Sequence, residues 1–278
     1  MAHYDLNGRV AVITGSTGGL GTAVCAALIA KGAKVALFDM DEAAVKAQAA
    51  ALGANARGWK VDVRSLDSLQ QAMDDAADHF GGIDVVIANA GITAFEPLET
   101  ADPGHFERVI DVNLLGVWRT LHAAAGHVQK RKGYLMVISS MAAFSHSPLQ
   151  AAYTASKAGV WAMCNSIRLE LRHLGVGVGS VHPTFFRTPM MERTFNDPAG
   201  KQIWNGNTSV FFKMAPLEDV VKGIVKGIEK RSEMIFVPRN NSLVAHLPRF
   251  FRKVIETFEF KDDAVAGMIK AAKSAPPK

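Results

Sequence analysis

Little in this chain points to a metal, a membrane or a nucleic acid. It holds two cysteines, Cys25 and Cys164, each inside an apolar helical pattern. Buried free thiols in a reducing cytoplasm are the reading that fits. No Cys/His group has ligand spacing, so no metal site is expected. The opening MAHYDLNGRV carries no signal-peptide pattern. No apolar run reaches the ~18 residues of a membrane span. The net charge of +5 is spread out except for a basic cluster near the C-terminus, which argues against a nucleic-acid partner. What is left is a chain of 278 residues, 49% hydrophobic and 21% charged. That is the composition of a globular enzyme, with length for one large domain or two small ones.

Helix and strand patterns alternate at short intervals. Arg9 to Thr14 reads as a buried strand stopped by Gly15, and GSTGGLG then opens an alanine-rich helix to about Lys31. Lys34 to Phe38 is a second strand ending at Asp39, and Asp41 to Leu52 a helix. Arg57 to Val61 is a third strand leading into Asp62-Val63. Ser65 to Phe80 is helical, with Ser65 as its N-cap. Asp84 to Ala88 is the fourth strand, closed by Asn89-Ala90-Gly91. His105 to about Lys130 reads as one long helix, Tyr134 to Ser139 as the fifth strand and Ala151 to about Leu174 as a helix. Val176 to His182 is the sixth strand, ending at Pro183; Leu217 to Arg231 is a helix and Met234 to Val237 the last strand. This order predicts an α/β fold with a doubly wound parallel sheet.

Ligands of such sheets sit outside the C-terminal strand ends. Gly15, Asp39, Asp62, Asn89 and Ser140 all fall at such ends. The glycines at 15, 19 and 21 let the backbone turn sharply and let a pyrophosphate approach a helix N-terminus; a tight turn without a ligand is the alternative. Asp39 is placed to accept hydrogen bonds from ribose hydroxyls and to repel a 2′-phosphate. No arginine follows it, which favours NAD over NADP.

Tyr153 and Lys157 are four residues apart in a helical stretch, so both lie on one face. A tyrosine hydroxyl with a pKa near ~10 is a poor base at neutral pH. A lysine ammonium nearby favours the phenolate; a shift of ~3 units needs roughly 4 kcal/mol, more than lysine alone supplies and within reach if a cationic cofactor ring adds to it. Ser140 lies thirteen residues before Tyr153 at a strand end, where a hydroxyl can hold a substrate oxygen. Asn113 interrupts an apolar stretch; it either bonds to backbone or holds a water in a proton path.

With these motifs in hand, the chain resembles the classical short-chain dehydrogenase/reductase family. The matches are Thr14-Gly15-x-x-x-Gly19-Leu20-Gly21, Asp62-Val63, Asn89-Ala90-Gly91, Asn113, Ser140, Tyr153-x-x-x-Lys157 and Pro183 to Thr188, in family order over roughly residues 6 to 240. The resemblance implies a Rossmann domain with a seven-stranded sheet. It implies Tyr153 as acid/base, Lys157 as its pKa-lowering neighbour and ribose ligand, Ser140 as the group that orients the substrate oxygen, and Asn113 as holder of a relay water. Cofactor contacts follow at Gly15, Thr17, Gly19, Leu20 and Gly21, and at Asp39, Asn89 and Gly91. Asp62 and Val63 would meet the adenine; Pro183, Phe186 and Thr188 would line the nicotinamide end. Where the family often has Pro-Gly, this chain has Pro183-Thr184, a change expected to reshape the substrate side.

Residues 188–216 are expected to cover the substrate. Met190, Met191, Phe195, Ile203, Trp204, Phe211, Phe212 and Met214 give that lid an apolar character. Beyond a Rossmann domain over 1–240, residues 241–278 form a helical extension. Pro248 to Phe258 places Phe250, Phe251, Val254, Ile255 and Phe258 on one helical face. Packing against this or a neighbouring subunit is favoured over a pocket wall or a membrane-surface helix. The final SAPPK is expected to be disordered. Taken together, the sequence predicts a cytoplasmic NAD(H)-dependent oxidoreductase that interconverts a secondary alcohol and a ketone on an apolar body, such as a steroid, a lipid-derived alcohol or a xenobiotic. Its family implies a homotetramer. An NADPH-dependent biosynthetic ketoreductase and a non-catalytic dinucleotide sensor are the alternatives.

Overall fold

A parallel sheet of seven strands in the order β3-β2-β1-β4-β5-β6-β7 forms the centre of the molecule. A computed structural model describes residues 3–196, 200–201 and 214–274. The strands are β1 (Val10–Thr14), β2 (Lys34–Asp39), β3 (Ala56–Lys60), β4 (Val85–Ala88), β5 (Tyr134–Ile138), β6 (Gly177–Pro183) and β7 (Met234–Val237). The helices between them are α1 (Gly19–Ala30), α2 (Glu42–Leu52), α3 (Leu66–Phe80), α4 (Pro103–Ile110), α5 (Gly116–Lys130), α6 (Ala151–Leu171), α7 (Pro189–Asn196) and α8 (Leu217–Lys230). After β7 come α9 (Ser242–His246), α10 (Pro248–Glu259) and α11 (Asp262–Lys273). The doubly wound parallel sheet expected from the sequence is therefore present.

Every strand except the edge strand β3 is largely buried, which is why those six sequences read as near-continuous apolar runs, whereas β3 is partly exposed. Successive side chains serve opposite layers. Ala11 and Ile13 join Val35 and Leu37 under Leu20, Val24 and Leu28 of α1 and Ile224 and Ile228 of α8. Val12 joins Ala36, Phe38 and Val86 under Leu69 and Met73 of α3, Leu121 of α5 and Val160 and Cys164 of α6. Both cysteines are free and buried, and burial pushes each thiol up to about 12. They are packing residues. A third cluster lies at one end of the sheet. There Met141, Ala143 and Phe144, from the turn after β5, meet Phe236 of β7 and Val244, Ala245 and Ile255 of α9 and α10.

Helix caps fall where side-chain chemistry predicts. Asp41 accepts from the Ala44 N–H and Ser65 from the Ser68 N–H, each satisfying a donor the helix leaves open. Other boundaries differ. The single helix expected over 105–130 begins at Pro103, capped by Asp102, and a π-helical turn at Asp111–Leu115 divides it into α4 and α5. A one-residue insertion into the helical repeat leaves apolar spacing almost unchanged, so periodicity does not reveal it. The apolar stripe of α10 is also not a single buried face. Ile255 is buried and Phe251 half-buried, whereas Phe250 and Phe258 are 67% and 70% exposed. A helical wheel gives the direction of a side chain, not what covers it. Ile203, Trp204, Phe211 and Phe212 of the expected lid, and the chain end from 275, lie outside the described residues. Among the described residues, no helix is long and apolar enough to cross a membrane.

Candidate active site

The C-terminal ends of β1, β2 and β4 build one half of the sheet rim. Gly15 has a φ of +63°, and a Cβ there would lie 2.8 Å from Ala90 Cα. At Gly21, in the first turn of α1, a Cβ would run into the Gly15 carbonyl oxygen and lie 2.8 Å from Ser16 Cα. Only glycine fits either position. Gly18 begins α1 without a side-chain cap, so no side chain answers the first N–H groups of the helix and they are open to an anion. The buried Ser16 hydroxyl has no partner among the described residues. Gly19 sits against the start of α7, where a Cβ would be 2.7 Å from Pro189 Cδ. Leu20 points into the core, so its side chain serves packing.

The Asp39 carboxylate closes over this loop. Its Oδ2 accepts from the Thr17 N–H at 3.0 Å and from the Thr17 hydroxyl at 2.8 Å. Asn89 braces β1 to β4: its amide donates to the Thr14 and Gly15 carbonyls at 3.0 and 2.9 Å, and the Thr14 hydroxyl accepts the Asn89 N–H. At the end of β3, Asp62 and Val63 both have partners within the protein. The Asp62 carboxylate forms a two-pronged pair with Arg64, which holds its pKa below the usual range. Val63 is buried against α5, where a Cβ at Gly116 would lie 2.9 Å from Val63 Cγ2.

The other half of the rim gathers Ser140, Tyr153, Lys157, Asn113 and Gly91. Ser140 opens a short 3-10 turn after β5 and accepts from the Ala142 N–H. Its side chain is hydrogen-bonded to the Tyr153 hydroxyl. Lys157 is buried, donates to the Ile138 carbonyl at 2.8 Å, and lies 5.6 Å from the centre of the Tyr153 ring. Burial brings its pKa down to about 8, still protonated at neutral pH. The expected lowering of the Tyr153 pKa is not found in the protein alone. Burial raises it, and the bond to Ser140 only partly opposes that. The removal of a phenolate from water outweighs an ammonium that points to a carbonyl.

Asn113 is fully buried within the π-helical turn. Its Oδ1 accepts from the Ile92 N–H at 2.8 Å, and its Nδ2 donates to the Ile92 carbonyl at 2.9 Å and to Ser156 Oγ at 3.2 Å. Of the two readings left open by the sequence, the side chain takes the backbone bond. A Cβ at Gly91 would lie 3.4 Å from Asn113 Oδ1 and 3.7 Å from Lys157 Nζ, so Gly91 sits beside both. Toward α7, Pro183 ends β6, and the Phe186 backbone pairs with Ala215. The Thr188 hydroxyl accepts from the Met191 N–H, capping α7. The hydroxyl of Thr184, the residue that departs from Pro-Gly, is buried without a partner among the described residues.

Several residues that hold this site went unnoticed in the sequence. The Ser139 hydroxyl donates to the Lys157 carbonyl at 2.9 Å, answering the Lys157 bond to Ile138 and fastening α6 to the end of β5. Ser156 donates to the Tyr153 carbonyl at 2.7 Å and links it to Asn113. Hydroxyls inside apolar patterns were the available signal. The buried His182 lies behind Ser140, between the rings of Phe144 and Phe236. Burial brings its pKa from 6.5 down to about 4. The unfolded chain therefore binds more protons between those values, and stability is present above pH 6.5 and lost as pH falls toward 4. Relative to His182→Phe, the wild type should lose about 3 kcal/mol across that window, measured by urea unfolding at stepped pH.

Comparison with known proteins places these features. The family model described as short chain dehydrogenase matches residues 9–199. Human 3-hydroxyacyl-CoA dehydrogenase type-2 is 34% identical over 200 residues, covering 67% of this chain and 77% of that protein. A 3-alpha-(or 20-beta)-hydroxysteroid dehydrogenase of Mycobacterium tuberculosis is 34% identical over 188 residues, 67% of this chain and 72% of its own. A short chain dehydrogenase/reductase of Burkholderia phymatum, solved in complex with NAD, superposes with a TM-score of 0.78 at 23% identity, covering 91% of this chain and 96% of its own; at that identity the likeness concerns the fold. Family, fold and motif order agree: the chain belongs to the short-chain dehydrogenase family of oxidoreductases.

Proposed function

We propose that this protein is an NAD(H)-dependent oxidoreductase interconverting a secondary alcohol and a ketone on an apolar substrate. The observation that carries this reading is the Tyr153 hydroxyl, hydrogen-bonded to Ser140 with the Lys157 ammonium beside its ring. In ketone reduction, Tyr153 delivers its proton to the carbonyl oxygen that Ser140 orients. In alcohol oxidation it accepts the hydroxyl proton. Lys157 holds positive charge next to the phenolate and binds ribose. The Asn113 side chain fixes Ile92, which leaves its backbone carbonyl, within the π-helical turn, as the group for a relay water.

The residues at the β1 and β2 ends fit a dinucleotide. The unsatisfied Ser16 hydroxyl, the open N-terminus of α1 and the close packing at Gly15 and Gly21 make a phosphate cradle. When bound, the nicotinamide accepts or gives the hydride. Thr17, Gly19 and the backbone of Leu20 follow the pyrophosphate, and Asp39 takes the ribose. Asn89 and Gly91 continue the floor, Val63 and the Asp62 backbone border the adenine, and Pro183, Phe186 and Thr188 line the nicotinamide end. The apolar sequence after Thr188 and the relatives named for hydroxysteroid and hydroxyacyl-CoA substrates support an apolar substrate. The lid over 188–216, the division at 240, a cytoplasmic location and the absence of a nucleic-acid partner belong to the same reading. Self-association, as a homotetramer, is supported by exposed Leu115, Trp118 and Leu169 on α5, α6 and the turn between α4 and α5.

The test is a fluorescence titration with NADH and NADPH. NADH should bind about 100-fold more tightly, because Asp39 would face the 2′-phosphate with like charge. Asp39→Ser should narrow that ratio to about tenfold or less. Preference for NADPH overturns the cofactor assignment, and binding of neither overturns the enzyme reading.

A further inference from the structure

We infer that His182 is a positioning residue for Ser140, an inference that rests on the proposed reaction. Backbone pairing between β5 and β6 extends to Ser139, whose N–H donates to the Val181 carbonyl at 2.9 Å. One residue further on, the side chain of His182 takes over. Its Nδ1 faces the Ser140 carbonyl at 3.3 Å, and its Nε2 faces Ser180 Oγ at 2.8 Å. A carbonyl only accepts, so Nδ1 carries the hydrogen, Nε2 is the acceptor and the Ser180 hydroxyl donates. This fixes a single neutral tautomer. The Ser140 carbonyl also accepts from the Ala143 N–H at 3.1 Å, but that bond lies within the turn and does not anchor it to the sheet. His182 ties the turn to β6.

The ring has no freedom to leave. It stacks on Phe236 at 5.3 Å and 24°, and Phe144 tilts against it at 4.9 Å. Its relative exposure is 0%. Burial and the nearby Lys157 charge both oppose protonation, so the same tautomer holds throughout the neutral range. The hydroxyl that orients the substrate oxygen is thus held on a turn whose carbonyl is gripped from below. A small rotation of that turn moves Ser140 Oγ relative to Tyr153, and misplacement by an ångström is costly to a proton transfer.

Asparagine and glutamine separate the two bonds. His182→Asn places an amide N–H near the Nδ1 position and keeps the grip on Ser140. His182→Gln reaches toward Ser180 and releases it. The full chain should keep NADH binding in both variants. His182→Gln and His182→Phe should lose turnover about 10- to 100-fold with little change in KM for cofactor, while His182→Asn recovers most of it. Equal losses in Asn and Gln that follow their melting temperatures, or no loss in Gln and Phe, overturn the inference and leave the reaction intact. A wild type inactive on every alcohol and ketone tried overturns the reaction and the inference together. NMR of 15N-labelled histidine gives an independent reading: Nδ1–H neutral imidazole is expected from pH 6 to 8, and an Nε2–H tautomer overturns the inference whatever the activity.

Discussion

Phenylalanine at position 153 should lower turnover by roughly 10³-fold, within the span a positioned acid/base contributes, while NADH still binds. The substitution removes one oxygen. It leaves the ring that covers Lys157 and the carbonyl that accepts from Ser156, so the architecture stays in place. What is lost is the hydroxyl bonded to Ser140. Steady-state rates with a ketone and NADH, alongside a binding titration, separate the two effects. Retention of more than about a tenth of wild-type turnover would sink the proposed role. The direction of reaction matters as well. Burial holds the Tyr153 proton on in the protein alone, so ketone reduction starts from the form that donates. Alcohol oxidation must first lose that proton, and its rate should rise with pH across the neutral range while reduction does not.

Gly21→Ala should destabilise the fold by about 2–3 kcal/mol and abolish dinucleotide binding. The new methyl would meet the Gly15 carbonyl oxygen and the Ser16 backbone. Neither is a flexible side-chain end, so the loop must shift. Thermal unfolding should report a fall of about 3–5 °C for a chain of this size, and titration should show no saturable NADH signal. Gly126→Ala is the control of opposite sign. That glycine lies exposed in the interior of α5, and nothing stands within 4 Å of its Cβ position, so alanine should stabilise by up to about 1 kcal/mol. A Gly21→Ala protein that binds NADH normally would remove the glycine loop from the nucleotide site.

The doubly wound parallel sheet was legible because covered parallel strands read as near-continuous apolar runs that alternate with helices. Asp41 and Ser65 could be named as caps from residue type alone. The rim was legible for the same reason, since strand ends place Gly15, Asp39 and Ser140 together. What escaped was the hydrogen-bonding network beneath. Ser139 and Ser156 are ordinary residues in sequence, and their partners are backbone carbonyls that no side-chain pattern marks. The commitment of Asp62 to Arg64 depends on a local turn rather than on the strand that leads to it. The sign of the Tyr153 shift needed burial, which spacing along a helix does not supply.

The third cluster has a consequence for how the molecule is made. Strands β1 to β4, which carry the glycine loop, Asp39 and Asn89, all precede residue 90 and include three neighbouring pairs of the sheet. The support of the Ser140 turn comes from Phe236, Val244 and Ile255, which leave the ribosome well over a hundred residues later. Domains consolidate from the N-terminus during synthesis. The growing chain thus has the elements for gripping a nucleotide long before the backing of its proton-transfer end exists, and a protein cut short after β6 would keep the first without the second.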